Sequence, residues 1–201
     1  MRQLGRPPSD STRKPTNERI LVTAADLFLV KSYQEVSMDD VAEACNVTKA
    51  TVYYYYKTKT RLYTEAMVGL MNRVRSKINY FLEEENSLYD QLVNIAEAYL
   101  HVATELDTER FMHSARNSLS DDQIKAIQKA EEAMYSGIED AIREADEKGD
   151  IHTENPAFAV RAYIALVKIG LYHNADGESL FNDKENKAKQ IVEFFWRSLE
   201  K

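Results

Sequence analysis

The chain has 201 residues, a length typical of one domain or of two small ones, and 44% of the residues are hydrophobic while 29% are charged. This balance excludes a disordered chain and a membrane protein. The formal net charge of −7, taken alone, argues against a partner as negative as nucleic acid.

The six glycines and four prolines leave few tight turns, which favours an all-α fold. Three prolines lie within residues 1–15, which we predict to be a flexible basic arm. Farther along the chain, apolar residues recur at helical spacing, and no alternating strand pattern is present. We predict about nine helices, over residues 16–32, 38–45, 49–56, 59–82, 88–107, 109–117, 121–148, 156–174 and 183–199.

Capping residues predict several of these boundaries. Ser37 and Ser120 each precede a side-chain acceptor by three residues, which is the spacing of a capping box. Asn155 stands directly before a proline at the start of a helix, and Gly149 can end the helix begun near residue 121. Gly137, inside that helix, can permit a kink.

Residues 38–45 and 49–56 are two short helices joined by a three-residue turn, the dimensions of a helix-turn-helix motif. Asn46 can adopt the left-handed conformation that such a turn often requires, and Thr48 can cap the second helix. The second helix fits the major groove of DNA, which is about 12 Å wide. The alternative is a helical protein-binding or scaffold module, whose short hairpin does not bind DNA and whose tyrosines fill the core.

A helical wheel divides the second helix into a buried side and an open side, because successive residues are about 100° apart. Val52 and Tyr56 share one side, which we predict to be buried. Just beyond this helix, Lys59 and Arg61 oppose the dipole of the next one, so a phosphate nearby would be stabilising. The side opposite Val52 would face DNA and carries Ala50 and Tyr54, with Thr51 and Tyr53 flanking it and Lys49 projecting from the N-terminal end of the helix.

The stretch from Arg19 to Leu62, about a quarter of the chain, resembles the DNA-binding domain of the TetR family of bacterial transcriptional regulators. It departs from the family's pattern at Ser32 and Asn46, where glycine is common, and in the first turn of the fourth helix, where acidic residues are common. The residues that carry the resemblance are Ile20, Ala24, Ala25, Leu27, Phe28, Ser37, Val41, Ala42, the run 47–57, Lys59 and Leu62.

The resemblance implies a homodimeric, ligand-responsive transcriptional regulator. We interpret it as a repressor that a small molecule releases from a palindromic double-stranded DNA operator. The bases would be contacted by Lys49, Ala50, Thr51 and Tyr54. The DNA backbone would be contacted by Ser37, Tyr53, Tyr55 and Lys59.

The distribution of charge agrees with a division of the chain. Residues 1–61 carry ten Lys and Arg against seven Asp and Glu, a net charge of +3, whereas residues 62–201 carry 16 against 26, a net charge of −10. The two blocks are expected to have different partners. After the arm of residues 1–15, we therefore predict a helix-turn-helix DNA-binding domain over 16–61 and a ligand-binding and dimerisation domain over 62–201.

The last two predicted helices, 156–174 and 183–199, are apolar on nearly every side and need almost complete cover. A subunit interface would supply that cover, and the family resemblance implies a four-helix dimer bundle made of these helices. The alternative is that both helices are buried within one subunit. The predicted interface residues are Ile164, Leu171, Tyr172, Phe195, Trp196 and Leu199.

Aromatic and sulfur-containing side chains with a few polar tips lie in the helices before these two. Such a composition is expected of a small-molecule cavity, and it would suit an apolar or aromatic effector. The alternative is an ordinary core, which such residues form more often. The candidates are Tyr99, Phe111, Met112, His113, Met134, Tyr135 and Tyr163.

The four histidines show no close metal-binding spacing, and no phosphate-binding loop, nucleophile elbow or zinc-protease motif is present. We therefore expect no catalysis, no metal and no cofactor. The single Cys45 excludes an internal disulfide, and no run resembles a signal peptide or a bilayer span. These features favour a cytoplasmic protein with no membrane contact.

Overall fold

The computed structural model describes residues 14–84, 86–102, 115–181, 183 and 186–200. Within these ranges the regular secondary structure is helical, as predicted, and the one extended contact is an isolated β-bridge between His173 and Ser179. The α-helices are α1 Thr16–Val30, α2 Met38–Ala44, α3 Lys49–Tyr56, α4 Lys59–Leu82, α5 Leu88–Val102, α6 Asp121–Met134, α7 Ser136–Lys148, α8 Pro156–Ile169 and α9 Lys187–Arg197.

The predicted caps are confirmed. Ser37 and Ser120 each form a capping box, and the side chain of Asn155 accepts from the amide of the third residue after it. Gly149 ends α7 in the left-handed conformation, with φ 82° and ψ 13°. These interactions involve residues within one turn of each other, which is why the sequence alone predicts them.

The prediction of one continuous helix over 121–148 is wrong. The helix is divided at Tyr135, where φ is −103° and ψ is 0°, so that α6 ends at Met134 and α7 begins at Ser136. In the first turn of α7, a Cβ on Gly137 would lie 2.6 Å from Oδ1 of Asn79 in α4. Glycine therefore leaves room for α7 to approach α4 directly after the break.

The last two helices are shorter than the predicted ranges 156–174 and 183–199. After Ile169 the chain continues in turns in which each amide donates to the carbonyl three residues before it, and the same tightening follows Arg197. Such turns end an α-helix because they replace its four-residue hydrogen bonds. Residues 1–13 of the predicted arm, residues 103–107 and most of the predicted helix 109–117 lie outside the described residues, and 116–118 form a short 3-10 helix.

Helix α4 is the central element of the fold. It packs against α1 and α3 and also against α5, α6 and α7, while α9 packs against α5 and α8. The buried side chains of all these helices form one continuous hydrophobic cluster. Within it, the hydroxyl of Tyr163 in α8 donates to the carbonyl of Leu92 in α5 at 2.6 Å, which satisfies the only polar atom of that buried side chain.

Candidate nucleic-acid interface and effector cavity

Helices α2 and α3 form the helix-turn-helix that the sequence predicts. Asn46 has φ 53°, so it occupies the left-handed region as expected. The amide of Val47 donates to the carbonyl of Ala42 at 2.9 Å, and Thr48 caps α3 by accepting from the amide of Thr51 at 3.2 Å. The angle between the two helices is therefore set by hydrogen bonds within the turn itself.

One side of α3 packs against α1. Val52 is fully buried and Tyr56 is almost fully buried, as the helical wheel predicts. The hydroxyl of Tyr56 donates to the carbonyl of Asn17 at 2.7 Å, and burial is the main cause that raises the pKa of Tyr56 to about 12. The guanidinium of Arg19 donates to the carbonyl of Cys45 at 2.6 Å. These two hydrogen bonds tie α1 to the central turn of the motif and to its C-terminal end.

The opposite side of α3 is open. Tyr54 is 72% exposed, and Lys49, Ala50, Tyr53 and Tyr55 are also exposed. Thr51 is half-buried and its hydroxyl lies 2.8 Å from that of Thr48. Ala50 and Tyr54 thus lie opposite Val52 and Tyr56, while Lys49 is exposed at the first position of the helix, and the core of the motif is complete without the exposed residues.

Lys49 is held by a carboxylate that the sequence analysis missed. Its ammonium nitrogen Nζ lies 2.7 Å from Oδ2 of Asp39 in the first turn of α2. The hydrogen bond to Asp39 raises the pKa of Lys49, so the ammonium is charged at neutral pH. Ten residues separate the two partners, and only the fold of the hairpin brings them together.

The junction between α3 and α4 has an unusual backbone. Lys57 has φ 53° and ψ −46°, a conformation that side-chain-bearing residues rarely adopt, and the amide of Thr58 donates to the carbonyl of Tyr56 across it. Thr58 then caps α4 by accepting from the amide of Arg61 at 3.1 Å. Such strain is typical of functional sites, and here it fixes where α4 begins relative to α3.

The two cations at the start of α4 have different partners. Nζ of Lys59 lies 4.3 Å from the ring centroid of Tyr33 and donates to the carbonyl of Gln34 at 3.3 Å. Partial burial lowers the pKa of Lys59. Arg61, in contrast, pairs with Glu65 one turn along the same helix, at 2.6 Å from Nε to Oε1. Ser37, the fourth predicted backbone contact, is exposed and uses its hydroxyl in the α2 cap.

A cavity of about 330 Å³ lies between α4, α5, α6 and α8, and nearly all of its wall is apolar. Four of the predicted pocket residues line it, whereas Phe111, Met112 and His113 lie outside the described residues. Apart from tyrosines, the ionisable side chains in its wall are Lys77, His101 and Glu131. The four predicted pocket residues that line the cavity are Tyr99, Met134, Tyr135 and Tyr163.

Helix α4 supplies much of this wall, which the sequence analysis did not anticipate. The spacing of the α4 residues, three or four apart, marks one apolar side of the helix, but ordinary core residues have the same spacing. The α4 residues in the wall are Tyr63, Met67, Leu70, Met71, Val74, Lys77, Ile78 and Phe81.

The structure corrects the predicted dimer interface. Ile164, Phe195 and Leu199 are buried within the single chain, so they have almost no surface to offer a partner. Leu171 and Trp196 are half-buried, and the indole of Trp196 packs edge-on against Tyr89 at 5.5 Å between ring centroids. Among the predicted interface residues, Tyr172 alone is exposed.

Other apolar side chains of the last two helices are open to solvent. Phe158 and Phe194 are each 70% exposed, and Ile169 is 48% exposed. Their helices pack against each other, so the exposed rings belong to neighbouring elements. We call Phe158, Ile169, Tyr172 and Phe194 the C-terminal apolar face.

The described residues hold neither a metal-binding cluster nor a membrane-spanning helix. In those ranges, no three His, Cys, Asp or Glu side chains stand close enough to hold a metal ion. None of the described helices is both long and apolar enough to cross a bilayer.

Two family models match the chain. Residues 20–66 match the one described as bacterial regulatory proteins, tetR family, and residues 85–179 match the tetracyclin repressor-like C-terminal domain. Together the two matches span more than half of the chain, and the first contains the whole helix-turn-helix.

Individual proteins agree with these matches. YvkB of Bacillus subtilis, an uncharacterized HTH-type transcriptional regulator, is 27% identical over 155 residues, which are 77% of this chain and 80% of that protein. IcaR of Staphylococcus aureus, the negative transcriptional regulator of a biofilm operon, is 26% identical over 99 residues, 44% of this chain and 52% of that protein.

A solved structure has the same fold. FadR of Bacillus subtilis in complex with stearoyl-CoA superposes with a TM-score of 0.71 at 12% identity, covering 91% of this chain and 99% of that chain. At this level of identity the likeness shows the fold alone.

Proposed function

The chain belongs to the TetR family of bacterial regulatory proteins and is a helix-turn-helix transcriptional regulator, and we propose that it is a cytoplasmic repressor released from its operator by an apolar small molecule. The observation that carries this proposal is the path of α4. This one helix begins after the two-residue junction that follows α3 and continues into the wall of the cavity. A ligand in the cavity therefore contacts an element whose other end lies at the DNA-binding face.

The DNA-binding part of the proposal rests on the open side of α3. Each subunit of a dimer would place α3 in a major groove, and the two half-sites of a palindromic operator would lie about 34–36 Å apart or a multiple of that. Domain 16–61 would contact DNA, and domain 62–201 would bind the effector and the second subunit. Base contacts are assigned to Lys49, Ala50, Thr51 and Tyr54, and backbone contacts to Ser37, Tyr53, Tyr55 and Lys59.

The sign of regulation is proposed from a relative. IcaR is a negative regulator, and its similarity to this chain supports repression here. Repression also fits the thermodynamics of a ligand-released regulator, in which the effector binds the DNA-free state more tightly. A difference of about 1–3 kcal/mol between the two states would lower the affinity for the operator about 5- to 150-fold.

The class of effector is proposed from the cavity wall. Its apolar side chains would bind an acyl chain or an aromatic ring, and Lys77, in the same wall, would pair with a polar end. FadR, which shares the fold, binds stearoyl-CoA. This supports an apolar effector, since stearoyl-CoA carries a long acyl chain that the apolar wall would suit.

The dimer is proposed from the C-terminal apolar face. Three large rings and an isoleucine side chain stand in solvent on α8, on the turn after it and on α9. Exposed apolar surface of this kind typically marks an interface. A second copy of the chain would cover it with the same face, as two-fold symmetry requires.

Two variants test DNA binding, one at a residue assigned to bases and one at a residue assigned to the DNA backbone. Tyr54→Ala should change which duplexes are selected from a random pool, because Tyr54 is assigned to bases. Lys59→Gln should weaken binding to all duplexes and reduce the slope of log K against log salt by about one, because it removes one phosphate contact. Gel-shift titrations measure both effects, with Lys125→Gln on the exposed side of α6 as control. Identical behaviour of the two variants would contradict the division of roles, and no salt-sensitive binding at all would contradict the function.

Asp39→Asn should strengthen binding to duplexes of any sequence. The change removes a negative charge beside α3 and frees the ammonium of Lys49, so affinity should rise roughly threefold to tenfold at about 0.1 M salt and the salt slope should steepen by about one. Fluorescence anisotropy with a labelled random duplex measures this. Asp140→Asn is the matched control, since Asp140 also forms an exposed ion pair, with Arg143 at 2.8 Å, but on α7. An unchanged or weaker affinity would count against the placement of Asp39 beside the DNA.

The effector site is tested by filling the cavity. Stearoyl-CoA should bind the wild-type chain in titration calorimetry, and Ala98→Trp should abolish binding because Ala98 lines the cavity. Ala126→Trp, on the exposed side of α6, should leave binding unchanged. If coenzyme A without the acyl chain binds equally well, or if Ala98→Trp binds normally, the cavity is not the site.

The dimer is tested by placing a charge on the C-terminal apolar face. Phe194→Glu should yield a monomer in sedimentation velocity, because the carboxylate would be buried without a partner at the interface. Tyr80→Glu is the control, since Tyr80 is a comparably exposed ring, at 55%, on α4. A dimer that persists in Phe194→Glu would exclude this face as the main interface.

A further inference from the structure

Three aromatic rings connect the cavity with the start of α4. The ring of Tyr63 in α4 packs edge-on against Phe28 of α1, at 4.9 Å and 79°, and against Tyr33, at 5.2 Å and 83°. Tyr33 follows α1 in the loop before α2, and its ring stacks on Phe28 at 6.1 Å. Each ring therefore restricts the position of the other two.

Tyr33 is also the surface on which Lys59 rests. The ammonium of Lys59 stands 4.3 Å from the centre of the Tyr33 ring, within the range of a cation–π contact, and its second contact is the carbonyl of Gln34. Both contacts come from the same loop. The position of Tyr33 thus determines where this cation stands.

Tyr63 belongs both to the three-ring cluster and to the cavity wall. It is fully buried from solvent, and burial raises its pKa to about 12, so the phenol is neutral at physiological pH. It is also part of the cavity wall, next to Met67 one turn farther along α4. A molecule in the cavity therefore contacts the same ring that supports Tyr33.

We propose that Tyr63 is the positioning residue through which occupancy of the cavity is transmitted, by way of the Tyr33 ring, to the ammonium of Lys59. This inference rests on the proposed function, since it deepens the account of how an effector acts on DNA binding. A ligand that favours a different position of the Tyr63 ring removes support from Tyr33. Lys59 then leaves the place in which it meets a phosphate.

The path is local, and this distinguishes it from a movement of the whole of α4. A shift of the helix would displace every residue at its N-terminal end together, including Arg61. The aromatic path acts on Lys59 alone, because Arg61 has its partner Glu65 on its own helix.

The first test needs neither DNA nor effector. Lysines are reductively methylated with carbon-13, and the Lys59 signal is assigned by its loss in Lys59→Arg. In the wild type, the ring current of Tyr33 should shift the methyl protons of Lys59 upfield, and Tyr33→Leu should remove this shift. Tyr63→Leu should also remove most of it, whereas Tyr63→Phe, which keeps the ring, should retain it.

The control is Tyr99→Leu, a cavity tyrosine on α5 outside the three-ring cluster, which should leave the Lys59 signal in place. If Tyr63→Leu does not fold, Tyr63→Met replaces it, because the flexible thioether fills irregular gaps. A Lys59 signal unchanged by loss of the Tyr63 ring would overturn the proposal. So would a signal lost equally in Tyr99→Leu.

The second test measures binding to a random-sequence duplex at low salt. Tyr63→Leu should weaken binding about as much as Lys59→Gln does, by roughly threefold to tenfold, and the double variant should be no weaker than Lys59→Gln alone. Losses that multiply in the double variant would overturn the path. If no variant and not even the wild type binds DNA, the proposed function fails, while the methyl signal still decides whether the ring path exists.

Discussion

The structure depends on one helix that takes part in two functions. α4 has 24 residues and is about 36 Å long, and it has no break between its capped start beside α3 and its end in the cavity wall. Its first turns complete the core under the helix-turn-helix, and its later turns pack on α5, α6 and α7. The two regions are therefore joined by one unbroken helix. The division between residues 61 and 62 that composition predicts is therefore a change of role along a continuous element.

The cations of α3 and of the first turn of α4 are held in place by contacts within the chain. Lys49 is held by Asp39, Arg61 by Glu65, and Lys59 by an aromatic ring and a backbone carbonyl. Such contacts are weak individually at an exposed surface, but they limit the orientations of long, flexible side chains. The overall charge of −7 obscures this arrangement, because the acidic excess lies in residues 62–201. That excess repels DNA and leaves the basic N-terminal part as the surface that can approach it.

The sequence predicted the helix-turn-helix well because its determinants are local. The caps at Ser37 and Thr48 and the left-handed Asn46 depend on residues within a few positions of one another, and the four-residue spacing of Val52 and Tyr56 places them on one side of α3. The cavity was predicted only in part, since helical spacing says which residues share a side and not which side faces a gap. The α4 residues that line the cavity follow the same pattern as ordinary core residues.

The sequence by itself determined the helical class, the caps, the motif and the family, because these depend on periodicity, on short-range hydrogen bonds and on a recognisable order of residues. Only the tertiary structure decided that Phe195 is buried while Phe194 is exposed, that helix 121–148 divides at Tyr135, and that Asp39 meets Lys49. The physical reason is the same in each case. Whether an apolar ring is covered, a helix bends or two charges meet depends on helices that are distant in sequence, and their approach is set by the packing of the whole core.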